Sequence, residues 1–463
     1  MLLPSPSAPI YRKATMSGIE ITFWAAIGLM AYAYLGYPIL IGLLSRCLPQ
    51  RPATLLRAAN KTSQAAEIPF PRASSLQVLL GVLSREQNLP NKRNSPFTSK
   101  FAASSVTGSK SVASQPMTGL PFVSLIIAAY QEESVILQRI QNALQMNYPA
   151  DKIEILIGCD GNEDATGQLV STVQDSRVRL LQFEKRRGKP SVLNDCVAAA
   201  RGEVIAFSDA NTFWNRDALL HLVSHFRHPR TGGVCGQLFI VDPVTGDNVD
   251  GLYWKYENFL KRCEGRLGAL LGFNGAIYAI RKQLWQPIPP QTIVDDFLVG
   301  MRIHQQGQRI VFDAAAIAHE ESAPSMAAEF HRRARIGAGG FQSLCWLLPL
   351  LSPHYGSVAF AFWSHKVLRW LCPMLMLVAL GTNLALISQP LYAALFGCQT
   401  LFYLGAVMGH YSGGQGVSAK VLRLFSLFVS MNAALAVGFY RWAGRTQSGA
   451  WKRTARTQEL IAD

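Results

Sequence analysis

Long apolar stretches flank a more polar central part of the chain. The first stretch, 21–45, has no charged residue, and three more follow at 367–387, 390–411 and 421–443. A helix that crosses a bilayer needs about 20 residues. The pattern therefore predicts one transmembrane helix before the central part and about three, within residues 366–443, after it.

Within the central part, short apolar runs alternate with longer helical patterns. The runs are VSLIIAAY (123–130), IEILIGCD (153–160), VRLLQF (178–183) and EVIAFSDA (203–210). Buried strands that alternate with helices indicate a mostly parallel sheet with helices on both faces. We therefore predict an α/β domain between the apolar parts.

Acidic residues mark the positions where we expect chemistry. Asp160 and Asp209 stand at the predicted carboxyl ends of two strands, where parallel sheets bind their ligands. Asp295 and Asp296 are adjacent and are followed directly by Phe297. Neighbouring carboxylates repel each other, and burial raises the free-energy cost of keeping both of them ionised. The pair therefore indicates a metal, a cation or a reaction, unless it only starts a helix, where Asp is favourable.

The composition and the positions of the charges indicate a membrane protein and the side of the membrane on which its central domain lies. Hydrophobic residues make up 49% of the 463 residues and charged ones 16%, with a net charge of +15. Ten basic residues against two acidic ones lie between Arg46 and Lys110, directly after the first apolar stretch. Since basic residues flank membrane spans on their cytoplasmic side, we expect an integral protein of the inner or plasma membrane with its central domain in the cytoplasm. No stretch resembles a nucleic-acid-binding module, and we expect no nucleic-acid partner.

The remaining segments complete the division of the chain. Residues 46–120 are rich in Ser, Pro and basic residues, which predicts a mostly disordered linker. The side of the C-terminus stays open, because three spans place it outside whereas the basic tail favours the inside. The predicted order is an N-terminal segment 1–20, a transmembrane helix 21–45, the linker 46–120, the α/β domain 121–340, an interfacial segment 341–365, about three transmembrane helices in 366–443 and a basic tail 444–463.

Several motifs follow one another between residues 120 and 345. They are VSLIIAAYQEE, CDGNEDAT, RRGKPSVLN, FSDANT, GFNGAIYAIR, VDDF and an arginine cluster near residue 332. Together they resemble the membrane-embedded family-2 glycosyltransferases, which include cellulose-, chitin- and hyaluronan-synthase-like enzymes. The resemblance implies the Rossmann-like fold called GT-A for the α/β domain.

The resemblance also implies a nucleotide-sugar site and a metal. Asp209 and Asn211 stand where the family has Asp-x-Asp, and Asn211 removes one negative charge but keeps an oxygen ligand for Mg²⁺ or Mn²⁺. The implied donor-binding residues are Ala129, Tyr130, Glu132, Asp160, Gly161, Gly188, Lys189, Asn194, Asp209 and Arg332.

By the same resemblance, Asp296 is the catalytic base and Asp295 takes the place of the family's usual Glu. Arg335 matches the arginine of the family motif Gln-x-x-Arg-Trp, whereas Arg332 replaces its Gln and Ile336 replaces its Trp. An aromatic platform for a sugar is thereby lost, which makes processive synthesis a weaker expectation than glycosyl transfer itself.

The expected function is inverting, metal-dependent transfer of a sugar from a UDP-sugar to a saccharide or lipid-linked acceptor at the membrane lipid. Three later spans are few for a channel in one chain, which favours either plain membrane anchors or an oligomer. The alternatives are a nucleotidyltransferase, a transporter or membrane scaffold, and a non-catalytic or partner-dependent membrane protein that binds nucleotide sugars.

Overall fold

A computed structural model describes residues 16–47, 119–161, 163–241, 252–321, 326–412 and 416–449. Nearly all of the predicted linker, 46–120, lies outside these residues. The same holds for residues 1–15 of the predicted N-terminal segment and for the predicted tail beyond residue 449.

The described residues contain one mixed sheet of eight strands in the order β3-β2-β1-β4-β7-β6-β8-β5. β1 to β4 are parallel to one another, β7 is antiparallel to β4 and β6, β8 is parallel to β6, and β5 is antiparallel to β8. The bounds are β1 Val123–Ala129, β2 Ile153–Asp160, β3 Val178–Phe183, β4 Val204–Asp209, β5 Phe213–Trp214, β6 Thr231–Val241, β7 Tyr278–Arg281 and β8 Arg309–Glu321.

Helices cover both faces of the sheet and continue beyond it. In the central domain they are α2 Ile136–Leu144, α3 Thr166–Ser171, α4 Lys189–Ala199, α5 Ala218–Ser224, α6 Leu252–Leu267, α7 Asp295–Gln305 and α8 Met326–Leu347. The flanking helices are α1 Gly18–Cys47, α9 Ser357–Ala385, α10 Pro390–Tyr411 and α11 Val417–Ala443.

The centre of the sheet is fully enclosed. Every residue of β1 and β2 is buried, as the continuous apolar runs of parallel strands covered on both faces require. α4 lies so close to β2 that a side-chain carbon at Gly158 would come within 2.4 Å of Val192. This packing fixes the start of α4 beside the carboxyl ends of the central strands.

The four flanking helices are each long and apolar enough to cross a membrane. α1 and α9 each contain one π-helical stretch, at Tyr32–Gly36 and Phe362–Val367, and the Tyr32 and Ser364 hydroxyls meet at 2.9 Å. α9 begins ten residues before the apolar stretch at 367–387, because the helix continues through its π-helical stretch. The predicted fold class, an α/β domain flanked by helices that could span a membrane, is confirmed.

Candidate active site

A lysine and two aspartates form the centre of the site. Asp209 is the last residue of β4, Lys189 begins α4 and Asp295 begins α7. The Lys189 Nζ lies 2.5 Å from Asp209 Oδ1 and 3.9 Å from Asp295 Oδ2. Burial alone would lower the pKa of Lys189, but the carboxylates of Asp209 and Asp295 raise it above its ordinary value. The ammonium group is therefore a fixed positive charge between the two acids.

Asp296 lies beside this centre. Its Oδ1 accepts a hydrogen bond of 2.8 Å from the Phe297 backbone N–H. Burial and the neighbouring Asp295 raise the pKa of Asp296 to about 6, against the opposing effect of Lys189. At neutral pH such a carboxylate is ionised, yet it accepts a proton more readily than an exposed Asp does, which suits a general base.

Gly275 brings the Asp296 and Asp209 carboxylates to the same place. A side-chain carbon at residue 275 would lie 3.2 Å from Asp296 Oδ2 and 3.7 Å from Asp209 Oδ2. The loop before β7 therefore passes between the predicted base and the predicted metal ligand. The absence of a side chain there keeps the space between the two carboxylates open.

Asp160 holds the loop that leads into α4. Its two oxygens accept hydrogen bonds from the backbone N–H groups of Arg187, at 2.6 Å, and Gly188, at 2.8 Å. Gly188 and Gly161 both have positive φ, 87° and 91°, which glycine adopts without strain. Asp160 thus positions the backbone beside Lys189, and its predicted contact with a base or ribose stays a prediction.

Tyr130 follows β1 and forms the other wall of this loop. The Arg186 guanidinium stacks on its ring at 3.9 Å, and its hydroxyl donates to Glu163 at 2.6 Å. Ala129 ends β1 beside Cys159 of β2. Glu132 is buried, and its backbone N–H donates to the Thr166 hydroxyl at 2.9 Å.

Asn194 has a different environment from the other predicted donor residues. Its side-chain amide donates to the Ile288 carbonyl at 2.8 Å and accepts from the Ile288 N–H at 2.9 Å. Both ends of the amide therefore fasten the loop before α7 to α4. Asn194 acts on the site through the backbone in this structure.

Asn211 faces a carboxylate that the sequence motifs did not indicate. Its Nδ2 lies 3.4 Å from Oε1 of Glu320, at the end of β8. Burial and the nearby Asp209 raise the pKa of Glu320 to about 7. The sequence marks Glu320 only by the acidic end of the run AHEE. No spacing connects it with Asn211, which lies 109 positions earlier.

The two predicted arginines of α8 make protein contacts. Arg332 donates to the carboxylate of Glu329, at 2.8 and 3.1 Å. Arg335 donates to the Ile293 carbonyl at 3.0 Å. Two turns further along α8, the Gln342 side chain accepts a hydrogen bond of 3.0 Å from the Ile293 N–H. α8 thus holds the loop that precedes the acidic pair.

Two buried oxygen atoms in this region lack a hydrogen-bond partner within the described part of the chain. They are the Tyr278 hydroxyl and Asp295 Oδ2. Buried polar atoms are normally paired, so both are suited to a group that binds here. Asp209, Asn211 and Glu320 offer hard oxygen donors of the type that Mg²⁺ and Mn²⁺ prefer, and the residues present therefore fit a divalent cation that completes its shell with a diphosphate.

Comparison with known proteins shows which family the central domain is similar to. Residues 124–285 match the family model described as Glycosyl transferase family 2. Poly-beta-1,6-N-acetyl-D-glucosamine synthase of Staphylococcus aureus is 24% identical over 229 residues, 48% of this chain and 55% of that protein. Beta-monoglucosyldiacylglycerol synthase of Trichormus variabilis is 26% identical over 235 residues, 48% of this chain and 50% of that protein. The chain spans about half the length of these curated relatives.

A solved structure agrees with the fold. Mannosyltransferase PcManGT from Pyrobaculum calidifontis, in complex with GDP-Man and Mn²⁺, aligns with a TM-score of 0.59 at 18% identity, over 92% of this chain and 100% of that chain. At this identity the likeness concerns the fold alone. The family model runs from β1 to just beyond β7 and covers most of the strands that carry the acids, so this part of the chain is similar to glycosyl transferase family 2.

Proposed function

We propose that the protein is an inverting glycosyltransferase that moves a sugar from a UDP-sugar to a saccharide or lipid-linked acceptor at a membrane. The observation that carries the proposal is the position of the Lys189 ammonium between Asp209 and Asp295 at the carboxyl end of β4, with Asp296 next to them. A fixed cation beside a buried, proton-accepting carboxylate is what transfer from a diphosphate requires.

The donor binds, in this proposal, along the loop from Arg186 to Lys189. The stack of Arg186 on Tyr130 offers a planar surface for the nucleobase, and Gly188 lets the backbone approach an anion closely. Lys189 then contacts the diphosphate and stabilises the negative charge that grows on it when the bond to the sugar breaks.

Asp209, Asn211 and Glu320 would hold a divalent cation. Mg²⁺ or Mn²⁺ there supplies additional neutralisation of the leaving diphosphate. The mannosyltransferase of similar fold was solved with Mn²⁺ and GDP-Man, which supports a metal but leaves the nucleobase to be determined by experiment.

Asp296 takes the proton of the acceptor hydroxyl. The acceptor oxygen attacks the anomeric carbon, the bond from that carbon to the diphosphate breaks, and the configuration inverts. The raised pKa of Asp296 matches this role, and Asp295 contributes by keeping Lys189 in place. Arg335 supports the step by holding the loop that precedes both acids.

The acceptor class follows from the membrane and the relatives. One relative is named for a polysaccharide and the other for a glycolipid, and both acceptor types meet a catalytic domain at a membrane surface. We place the catalytic domain on the cytoplasmic side, because the basic residues between Arg46 and Lys110 follow α1 directly. α1, α9, α10 and α11 then anchor it in the inner or plasma membrane.

The test is release of nucleoside diphosphate by the detergent-purified full chain across a panel of UDP-sugars and GDP-mannose, with and without Mn²⁺. Wild type is compared with Asp209→Asn and with Asp151→Asn, which alters an exposed carboxylate on the same domain. We expect metal-dependent turnover of one UDP-sugar that is lost in Asp209→Asn and kept in Asp151→Asn. Folded wild type that turns over none of these donors, with membrane lipid and acceptor oligosaccharides added, contradicts the proposal.

A further inference from the structure

Five buried polar side chains from three helices meet where the catalytic domain rests on the apolar helices. We name them the joint cluster: Tyr37 of α1, Glu257 and Glu264 of α6, and His365 and Arg369 of α9. Each is less than a tenth exposed. None of them lies in a motif of the family resemblance or in the proposed mechanism.

The cluster is connected by short contacts. The Tyr37 hydroxyl donates to Glu264 Oε1 at 2.8 Å, and His365 Nδ1 lies 2.5 Å from the same oxygen. His365 Nε2 lies 3.5 Å from Glu257 Oε2, and Arg369 donates to Glu257 Oε1 at 2.6 Å. The cluster therefore connects α1, α6 and α9 through residues up to 332 positions apart in sequence.

Such a cluster is costly to build from charged groups. Burying a carboxylate or a guanidinium costs several kcal/mol unless a partner compensates it, and apolar residues of similar size often serve stability equally well. Burial alone would raise the pKa of Glu257, but the Arg369 guanidinium holds it well below its usual range. Stability alone is thus a weak reason for these residues, whereas a defined geometry between helices is a strong one.

One route from the cluster to the catalytic site runs along α6. Lys261 lies between Glu257 and Glu264 on the same helical face, and its ammonium donates to Asn274 Oδ1. The Asn274 amide in turn donates to the Gly236 carbonyl at 3.0 Å. The next residue is Gly275, which lies against the carboxylates of Asp296 and Asp209. A shift of α6 would therefore move the loop between these two acids.

A second route runs through α9. Trp370, which follows Arg369, packs edge-on against Phe297 with ring centroids 5.8 Å apart. Phe362 of the π-helical stretch contacts the same ring at 6.1 Å. Phe297 follows Asp296, and its N–H holds Asp296 Oδ1. A shift of α9 would therefore act on the backbone that orients the proposed base.

We infer that the joint cluster positions Asp296 for proton transfer by fixing α6 and α9 against α1. Its members are positioning residues, and the inference rests on the proposed role of Asp296. Because a displacement of about 1 Å at a reacting group costs up to about 100-fold in rate, the cluster makes transfer depend on how the catalytic domain sits on the apolar helices. Among the described residues, the loop at Arg186 to Lys189 makes no contact with the cluster itself, so we expect donor binding to change less than transfer.

The experiment is a double-mutant cycle in the full chain with Arg369→Gln, Glu257→Gln and the double variant. The transfer kcat, the donor KM and the thermal unfolding midpoint are measured for each. We expect Arg369→Gln to lower kcat by about tenfold or more while donor KM stays within about twofold. Since removing both partners takes away the uncompensated charge, the double variant should recover kcat to within about threefold of wild type.

Two further variants keep the test decisive. Tyr37→Phe removes only the hydroxyl that donates to Glu264; it is expected to fold and to lower kcat several-fold, and it carries the test if Arg369→Gln does not fold. Arg177→Gln breaks a partly exposed ion pair with Asp175, at 2.8 Å just before β3 and away from the joint cluster, and should leave kcat unchanged.

Folded Arg369→Gln and Tyr37→Phe with wild-type kcat overturn the inference. The inference is also overturned if these variants only unfold at a lower temperature. The same holds if donor KM rises by the factor by which kcat/KM falls. These results differ from failure of the proposed function, in which wild type transfers no sugar or Asp296→Asn transfers it as wild type does.

Discussion

The donor side and the membrane side of the catalytic domain are built in different ways. On the donor side, Asp160 and Asp209 end β2 and β4, the two parallel strands on either side of β1, and Lys189 begins α4. Lys189 contacts Asp209 directly, and Asp160 holds the backbone just before Lys189. On the membrane side, Arg335 contacts a backbone carbonyl. Charged residues of α6 and α9 contact each other rather than the aspartates of the site. The first side is arranged to bind a ligand, and the second to hold the first in place.

This difference separates two kinds of defect. A change on the donor side should weaken donor binding, because the residue that contacts the ligand is lost. A change on the membrane side should lower the rate of transfer with little effect on donor binding, because only the geometry of Asp296 changes. The ratio of the effects on KM and kcat therefore tells the two sides apart.

The largest effect is expected for Lys189→Ala. The change removes the ammonium that lies between Asp209 and Asp295 and leaves two uncompensated acids at the proposed diphosphate site. We expect kcat/KM for the donor to fall by about 100-fold or more, with a large share in KM. Steady-state kinetics measure this, and Lys185→Ala, an exposed lysine four residues earlier, should behave as wild type. Equal activity in both variants would break the donor-side account.

A smaller effect, confined to kcat, is expected for Arg335→Gln. The substitution removes the hydrogen bond to the Ile293 carbonyl just before the acidic pair, and we expect about a tenfold fall in kcat with nearly constant donor KM. Arg332→Gln, on the same helix, removes the hydrogen bonds to Glu329. It should change kcat by less than about threefold, because a partly exposed ion pair contributes little free energy. A larger kcat defect for Arg332→Gln would reverse these roles, and a raised donor KM in that variant would support its predicted contact with the donor.

The smallest effect is expected for Tyr278→Phe. The buried Tyr278 hydroxyl has no hydrogen-bond partner among the described residues, so its removal should stabilise the protein by about 1 kcal/mol. Tyr130→Phe, which removes a hydroxyl bonded to Glu163 at 2.6 Å, should destabilise it by a similar amount. Thermal unfolding of both variants in one detergent measures the contrast. A lower unfolding temperature for Tyr278→Phe would show that the hydroxyl has a stabilising role in the free protein.

The same contrast explains what the sequence could predict. The strand runs at 123–130 and 153–160, and the positions of Asp160 and Asp209 at strand ends, followed from local patterns, because a buried parallel strand is a continuous apolar run. The structure has these strands at Val123–Ala129 and Ile153–Asp160. The acidic pair likewise begins a helix, α7.

Contacts between distant segments could not be predicted in this way. Glu320 reaches Asn211 across 109 positions, and Arg369 reaches Glu257 across 112. Neither pair has a spacing or a periodicity that marks it. His365 and Lys366 stand just before the apolar stretch at 367–387, so the charged end of α9 was not recognised as part of a long helix. The two hydrogen bonds by which Asn194 holds the Ile288 backbone have no signal in the sequence either, and its predicted contact with the donor stays a prediction.

The raised pKa of Asp296 has consequences for both stability and rate. Because the folded chain holds this proton more tightly than the unfolded chain, the contribution of Asp296 to stability is greatest below pH 3.8, its ordinary value, and is lost as the pH rises through about 6. Asp296→Asn should therefore unfold at a higher temperature than wild type at pH 7.5. A carboxylate that is retained despite this cost indicates a function.

The most direct test of the account is the pH dependence of sugar transfer by wild type beside Asp296→Asn, with donor affinity measured in parallel. The account predicts a wild-type kcat that falls below about pH 6, where the base becomes protonated. It predicts that Asp296→Asn binds the donor as wild type does but transfers at least about 100-fold more slowly at every pH. Two results would contradict the assignment of Asp296 as the base. One is transfer by Asp296→Asn at the wild-type rate. The other is a wild-type rate that stays constant between about pH 4.5 and 7.5, a range of about three pH units that includes this pKa.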